Sequence, residues 1–223
     1  IYRAVDAIDG VRKSFVGSGV RYDLAMHLSG NDIIDKTNRK YCEELVSHHV
    51  SGRLKVAPEH TVPHVLSLMR KPDFSQYYEF KRIFDAVNTK NGLRQQLIPY
   101  FISSHPGCRE VDMAELAAQA KNLDMHLEQI QDFTPTPMTL ATEIYYSGIH
   151  PYTGETVFCA TDPKEKQAQR QYFFWRDPEH RAAIMRSLER LGRKDLIRKL
   201  YSGTNMQNFS GSVKSSKKAI KRR

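Results

Sequence analysis

The chain has 223 residues, 40% of them apolar and 26% charged, enough to enclose one core with an appendage. No run approaches the roughly 18–20 apolar residues of a membrane span, which excludes a bundle of spanning helices. Six of its nine net positive charges fall in Lys214–Arg223, which holds no acid, so the remainder carries only +3.

The opening Ile1-Tyr2-Arg3-Ala4-Val5-Asp6 is neither a start methionine nor a signal peptide, and it reads as the cut end of a fragment. Residues 14–20, SFVGSGV, predict a strand running into the polar turn Arg21-Tyr22-Asp23. Residues 36–50 predict a helix with Tyr41, Cys42 and Leu45 facing inward. A strand over 53–57 ends in Pro58-Glu59-His60, and Thr61 with Pro63 reads as the start of a short helix stopping at Met69. Asp73, with Gln76 three residues on, predicts a capped helix whose apolar face is Tyr77, Phe80, Ile83, Phe84 and Val87. Asn91-Gly92 ends it.

A second strand, 96–102, leads into Ser103-Ser104-His105-Pro106-Gly107, followed by a helix with Met113, Leu116, Ala117, Ala120 and Leu123 on one face. A third strand, 126–132, ends in Phe133-Thr134-Pro135-Thr136-Pro137. The βα alternation then stops. Residues 138–161 read as an irregular or antiparallel excursion with 156–161 as an edge strand, and 162–201 as all helical. Asp162-Pro163 and Asp177-Pro178 mark helix starts, Gly192 and Gly203 helix ends, and Tyr172 to Trp175 an aromatic contact with the rest. The predicted division is 1–150 for the α/β part, 151–203 for a helical extension and 204–223 for a disordered basic tail.

Short apolar strands separated by helices specify a parallel sheet or barrel, and in such folds chemistry gathers at the carboxyl ends of the strands. Glu59, His60, Ser103, Ser104, His105, Gln131 and Asp132 fall at those ends. A carboxylate at Glu59 can bind an amine or a ribose hydroxyl, act as a base, or simply cap the next helix. Ser103 to Gly107 offers hydroxyls, an imidazole and backbone N–H groups that suit a carboxylate or phosphate, although proline-glycine is also an ordinary loop. Gly17-Ser18-Gly19 is too short for a dinucleotide fingerprint, and the adjacent His48-His49 reads as exposed helix surface. Cys42, Cys108 and Cys159 are odd in number and far apart, which argues against a disulfide framework and for a reducing cytoplasm. Their spacing shows no zinc or iron–sulfur motif; Cys108, following Gly107, is open to being a reactive thiol but reads rather as packed behind its loop.

The segments GSGVRYDLAM (17–26), VSHHVSGRLKVAPEHT (46–61), LMRKP (68–72), QQLIPYFISSHPG (95–107) and LEQIQDFTPTP (127–137) together resemble the YgiQ family of radical S-adenosylmethionine proteins, collinearly from about residue 11 to 201. The resemblance implies the carboxyl-terminal part of a partial (β/α)6, TIM-like barrel plus a small helical extension. It implies S-adenosylmethionine and a 4Fe-4S cluster as cofactors, an electron donor such as flavodoxin or ferredoxin, and hydrogen abstraction from an unknown substrate. The family's CxxxCxxC loop is missing here, so the ligands are expected upstream of Ile1 and this polypeptide alone is expected to be inactive. By resemblance, Ser18 and Arg21 would face the methionyl carboxylate, Glu59 the ribose or amine, and Ser103, Ser104 and His105 the adenine side. Two other classes compete. One is a non-catalytic module whose basic tail binds RNA or another acidic partner weakly. The other is a cluster-free enzyme using Glu59 and His105 as acid and base.

Overall fold

The computed structural model describes residues 1–125 and 127–202. The basic tail and the Gly203 helix stop lie outside the described residues. In chain order the elements are α1 (Tyr2–Asp6), α2 (Tyr22–Ala25), α3 (Asp32–His48), β1 (Arg53–Glu59), α4 (Pro63–Leu68), α5 (Ser75–Lys90) and β2 (Gln96–Ser103). There follow α6 (Glu110–Asn122), β3 (Gln129–Asp132), α7 (Leu140–Ser147), α8 (Pro163–Arg170), a 3-10 turn (Gln171–Phe174), α9 (Pro178–Arg190) and α10 (Lys194–Tyr201).

The three strands form a parallel sheet in the order β1-β2-β3. Leu54 pairs with Leu97, Val56 with Pro99, and Phe101 with Ile130. Pro99 stands in the central strand, where a missing N–H normally argues against strand structure. The β1–β2 register shifts between Val56 and Glu59, next to Pro58 and opposite Pro99, so the irregularity absorbs the lost donor.

Period-two alternation decides what each face meets. Leu54, Val56 and Phe101 are fully buried in a core with Val46, Phe80, Phe84 and Leu116, supplied by α3, α5 and α6. Each large apolar side chain buried this way contributes roughly 1.5–3 kcal/mol. On the opposite face Lys55, Ala57, Tyr100, Ile102 and Gln131 are half-exposed or exposed, while Ile98 is buried. The Tyr100 hydroxyl donates to the Gln131 carboxamide across that face. One side of the sheet carries a helical layer; the other carries a half-polar surface.

Several elements depart from the sequence-based expectations. Residues 14–20 make no regular strand: a single parallel bridge joins Val20 to Val56, and Gly17 and Gly19 leave the segment without a continuous apolar pattern. The first long helix begins at Asp32, where Asn31 accepts the N–H groups of Ile33 and Ile34, and Tyr41 is 41% exposed while Cys42 and Leu45 are buried. Thr61 does not cap α4; Val62 occupies that position without a side-chain bond. Asp73 accepts the Ser75 N–H, yet Phe74 takes the N-cap position of α5 and no capping box forms. The excursion after β3 contains α7, capped by Thr139 and ended by Gly148 at φ 68°. The 156–161 segment contributes only an antiparallel bridge, Ile149 to Thr156. His49 is buried rather than exposed, stacked on Tyr2 with its Nδ1 at 3.0 Å from the Ser14 carbonyl.

The helical section matches its sequence pattern closely. Asp162 accepts the Lys164 N–H at 2.7 Å and Asp177 the Glu179 N–H at 2.9 Å. Tyr172, Phe173, Trp175, Ile184, Leu188, Leu196 and Leu200 are buried in the same core as Leu116 and Phe101. Among the described residues no helix is long and apolar enough to cross a membrane.

Candidate functional site

The carboxyl ends of β1, β2 and β3 lie side by side, because Glu59 pairs with Phe101 and Ser103 with Asp132 in the ladder. Two non-glycine residues at these ends take the left-handed backbone, Glu59 at φ 65° and Ser104 at φ 60°. That conformation costs about 1–2 kcal/mol per residue and persists only where neighbours enforce it.

Glu59 is held by Lys71, whose Nζ lies 2.8 Å from Oε1, with the two side chains 22% and 11% exposed. The Lys71 ammonium also donates to the Ala57 carbonyl at 3.3 Å. Glu59 therefore does not cap α4, and one of the readings left open by the sequence falls away. Arg21 and His105 lie within electrostatic reach of Glu59. The Arg21 guanidinium is engaged by Asp23 through Nε at 2.8 Å and Nη2 at 2.6 Å, which raises its pKa further and lowers that of Asp23. Ser18 is exposed and lines a cleft of about 460 Å³ with Arg21, Leu24 and Tyr41.

The turn after β2 is fixed at every residue. Ser103 Oγ donates to Asp132 Oδ1 at 2.5 Å, and Asp132 Oδ2 accepts from Arg170 at 2.8 Å. The Ser104 N–H donates to Gln169 Oε1 at 2.8 Å, and Gln169 Nε2 donates to the Cys108 carbonyl at 2.7 Å. Ser104 Oγ is buried without a hydrogen-bond partner. His105 Nδ1 donates to the Pro106 carbonyl at 2.9 Å and its ring meets Phe133 edge-on at 5.0 Å. Burial pushes its pKa down, so at neutral pH the imidazole is uncharged with its lone pair on Nε2. Gly107 closes the turn at φ 84°, where an added Cβ would stand 2.2 Å from Leu68 Cδ1.

Behind the turn lies a second, buried pair. The Val62 N–H donates to His60 Nδ1 at 3.1 Å, which places the ring proton on Nε2, directed at Cys108 Sγ 3.5 Å away. Desolvation pushes the His60 pKa down to about 3 and raises that of Cys108. Both groups are neutral, the opposite of the thiolate–imidazolium state of a nucleophilic cysteine. Cys108 is a packed residue, fully buried, and the reactive alternative offered by its place after Gly107 falls away.

The arrangement offers a carboxylate, an uncharged imidazole and a partnerless hydroxyl along one edge of a sheet. Glu59 is bonded to Lys71 and His105 to Pro106, so they do not form a joined acid–base pair. The thiols do not fit an iron–sulfur cluster. Cys42 donates to the Ala25 carbonyl at 3.6 Å and Cys159 to that of Ile144 at 3.4 Å, while Cys108 faces His60, and burial raises all three pKa values. Among the described residues no three His, Cys, Asp or Glu gather as metal ligands. At the strand ends the Glu59 carboxylate, 22% exposed, can accept hydroxyl or amine protons, while the partnerless Ser104 Oγ is buried behind the same edge. The sequence identified the strand-end residues but assigned no role to Lys71, Gln169 or Arg170; nothing in their local pattern separates them from ordinary helix and loop polar residues.

Residues 128–210 match the family described as Domain of unknown function (DUF3362). The chain is 63% identical over 205 residues to a UPF0313 protein of Bacteroides thetaiotaomicron, covering 92% of this chain and 33% of that protein. A UPF0313 protein of Porphyromonas gingivalis is 56% identical over 204 residues, covering 92% and 32%. One of Methanosarcina mazei is 42% identical over 190 residues, covering 85% and 29%. The chain thus spans about a third of the length of the curated relatives it matches. UPF0313 is the YgiQ-like family, so the resemblance carried by RLKVAPEHT and its companions leads to the same relatives.

Proposed function

We propose that this chain is part of a UPF0313 protein that binds S-adenosylmethionine along the carboxyl edge of its sheet and works as a radical enzyme. The uncovered sheet face is the observation that carries the reading. Parallel sheets are covered on both faces in nearly all α/β folds. Here Lys55, Ala57, Tyr100, Ile102 and Gln131 stay half-exposed or exposed, as the inner wall of a partial barrel would be when only some of its strands are considered. Strand ends converging at the rim of such a wall are where barrel enzymes place their chemistry.

On this reading Glu59 accepts hydrogen bonds from the ribose hydroxyls or pairs with the methionyl amine. Lys71 holds its carboxylate in place at 2.8 Å and balances its charge. Arg21 keeps Nη1 outside its fork to Asp23 and meets the methionyl carboxylate there. Ser104 and His105, the latter through the Nε2 lone pair, border the adenine. The bound cofactor would supply a 5′-deoxyadenosyl group for hydrogen abstraction, and a closed pocket over the open face would keep water from the reacting carbon. The chain's own thiols do not fit a cluster, so no step is routed through one. The family's cluster ligands would belong to the part of the relatives that this chain does not span.

The test is equilibrium binding of S-adenosylmethionine to the full gene product, prepared anaerobically, with and without Glu59→Gln. Charge-assisted bonds of this kind contribute about 1.5–3 kcal/mol. The variant should therefore bind roughly tenfold or more weakly, since 1.4 kcal/mol is a factor of ten. Release of 5′-deoxyadenosine on reduction would extend the result to chemistry. No binding by the unmodified protein would refute the proposal.

A further inference from the structure

Three polar residues of the DUF3362 segment reach out of it to the turn after β2. Asp132, Gln169 and Arg170 lie within the 128–210 match, while Ser103 to Cys108 lie outside it. Gln169 is 1% exposed and spends both ends of its carboxamide on that turn, accepting from the Ser104 N–H and donating to the Cys108 carbonyl. The next residue, Arg170, holds Asp132, which in turn accepts the Ser103 hydroxyl. Two consecutive residues of α8 thus secure two consecutive residues of the turn by separate routes.

The turn they secure is under strain. Ser104 takes a left-handed backbone, and its hydroxyl is buried without a partner. A backbone in that state relaxes unless its N–H and the following carbonyls are held, and Gln169 holds one of each. A native structure rarely keeps a buried hydroxyl unsatisfied without a use for it.

We infer that the DUF3362 segment acts as a positioning element for the cofactor site, with Gln169 and Arg170 fixing Ser103 and Ser104 at the strand end. This rests on the functional reading above. The helical segment thereby acquires a task, which is to set the geometry of a site built on another part of the chain. Gln169 and Arg170 touch no cofactor themselves; they act through the turn.

The experiment uses the full gene product and three variants: Gln169→Leu, which keeps the volume and removes both bonds; Arg170→Met on the exposed side of α8; and Arg170→Lys as the conservative rescue. Two quantities are read, the exchange rate of the Ser104 amide and the dissociation constant for S-adenosylmethionine. Gln169→Leu should speed amide exchange and weaken binding about tenfold or more, Arg170→Met should weaken it about threefold, and Arg170→Lys should restore most of the loss. Because Gln169 is buried, its variant can lose the fold; the exposed Arg170 pair then decides the question. Folded variants that bind as tightly as the unmodified protein, with faster Ser104 exchange, would overturn this inference alone. Failure of the unmodified protein to bind would overturn the functional reading and this inference together.

Discussion

Replacing Gly107 by alanine should destabilise the protein by about 0.5–3 kcal/mol, and the sources of that cost can be separated. The backbone at φ 84° disfavours any L side chain by about 1–2 kcal/mol. The new methyl would also stand 2.2 Å from Leu68 Cδ1, so Leu68 must leave its rotamer, at roughly 0.5–1.5 kcal/mol. Leu68 has somewhere to go, because it lines a cleft of about 770 Å³ with His64, Arg109 and Phe158. Alanine restricts the unfolded chain and returns roughly 0.4–1 kcal/mol. Gly92 is the internal control: its φ is 63° with nothing within 4 Å of the added Cβ, so Gly92→Ala carries the backbone cost without the collision. Urea unfolding of Gly107→Ala, Gly92→Ala, Leu68→Ala and the Gly107→Ala/Leu68→Ala pair measures each part. The double variant should recover about 0.5–1.5 kcal/mol relative to additivity. If Gly107→Ala proves no worse than Gly92→Ala and the cycle shows no coupling, the close approach of Leu68 to the turn is wrong.

Protonation gives a second expectation: His60 has a folded pKa near 3, below the unfolded value of about 6.5, so the unfolded state binds its proton first as pH falls. The stability from neutral His60 is complete above about pH 6.5 and declines below it, with His105 adding to the slope in the same direction; equal urea midpoints at pH 7 and pH 5 would contradict this. Thiol labelling of the folded protein at pH 8 should modify the half-buried Cys159 before Cys42 or Cys108, and Cys108 should react only on unfolding. Lys71→Met should cost about 1–3 kcal/mol by leaving the Glu59 carboxylate without its partner, and Glu59→Gln/Lys71→Met should restore part of that; additive losses would show the pair to be uncoupled. Asp162→Ala and Asp177→Ala should each lower stability by about 1 kcal/mol through loss of a cap, read from urea midpoints.

The sheet and the helices flanking it were legible because their signals are local. Leu54, Val56 and Phe101 sit in short apolar runs bounded by turn residues, and the Tyr77, Phe80, Phe84, Val87 spacing allows only a helix. The Asp-Pro pairs at 162–163 and 177–178 marked their helix starts for the same reason. The misses have physical causes. α7 had a Thr139 cap and a Gly148 stop, but with the βα alternation ended the segment read as an irregular or antiparallel excursion. The 14–20 segment has strand-like residues and makes a single bridge, since two glycines remove the side chains that would hold it. At the site, Glu59 and Ser103–His105 followed from position at strand ends. Lys71 and Gln169 did not, because their contacts span 12 and 65 residues of chain and depend on how helices settle against the sheet. His49 misled for the same reason: a polar residue becomes interior when Tyr2 and Ser14 fold over it.

The shared core has a consequence for how the protein comes apart. The DUF3362 match begins at residue 128, one position before β3, whose hydrogen-bonding partner β2 lies on the other side of that boundary. The helices after it bury Tyr172, Ile184, Leu188 and Leu196 against the same cluster as Met113 and Leu116 of α6. The stretch matched by the family model should therefore not melt as a unit of its own. A cut at 127 would strip β3 of its ladder and bare the apolar flank of α6, leaving two halves that each expose what the other had covered. Sheet and helices should instead melt in one transition, with fluorescence of Trp175 reporting the loss of β1 as faithfully as that of α9.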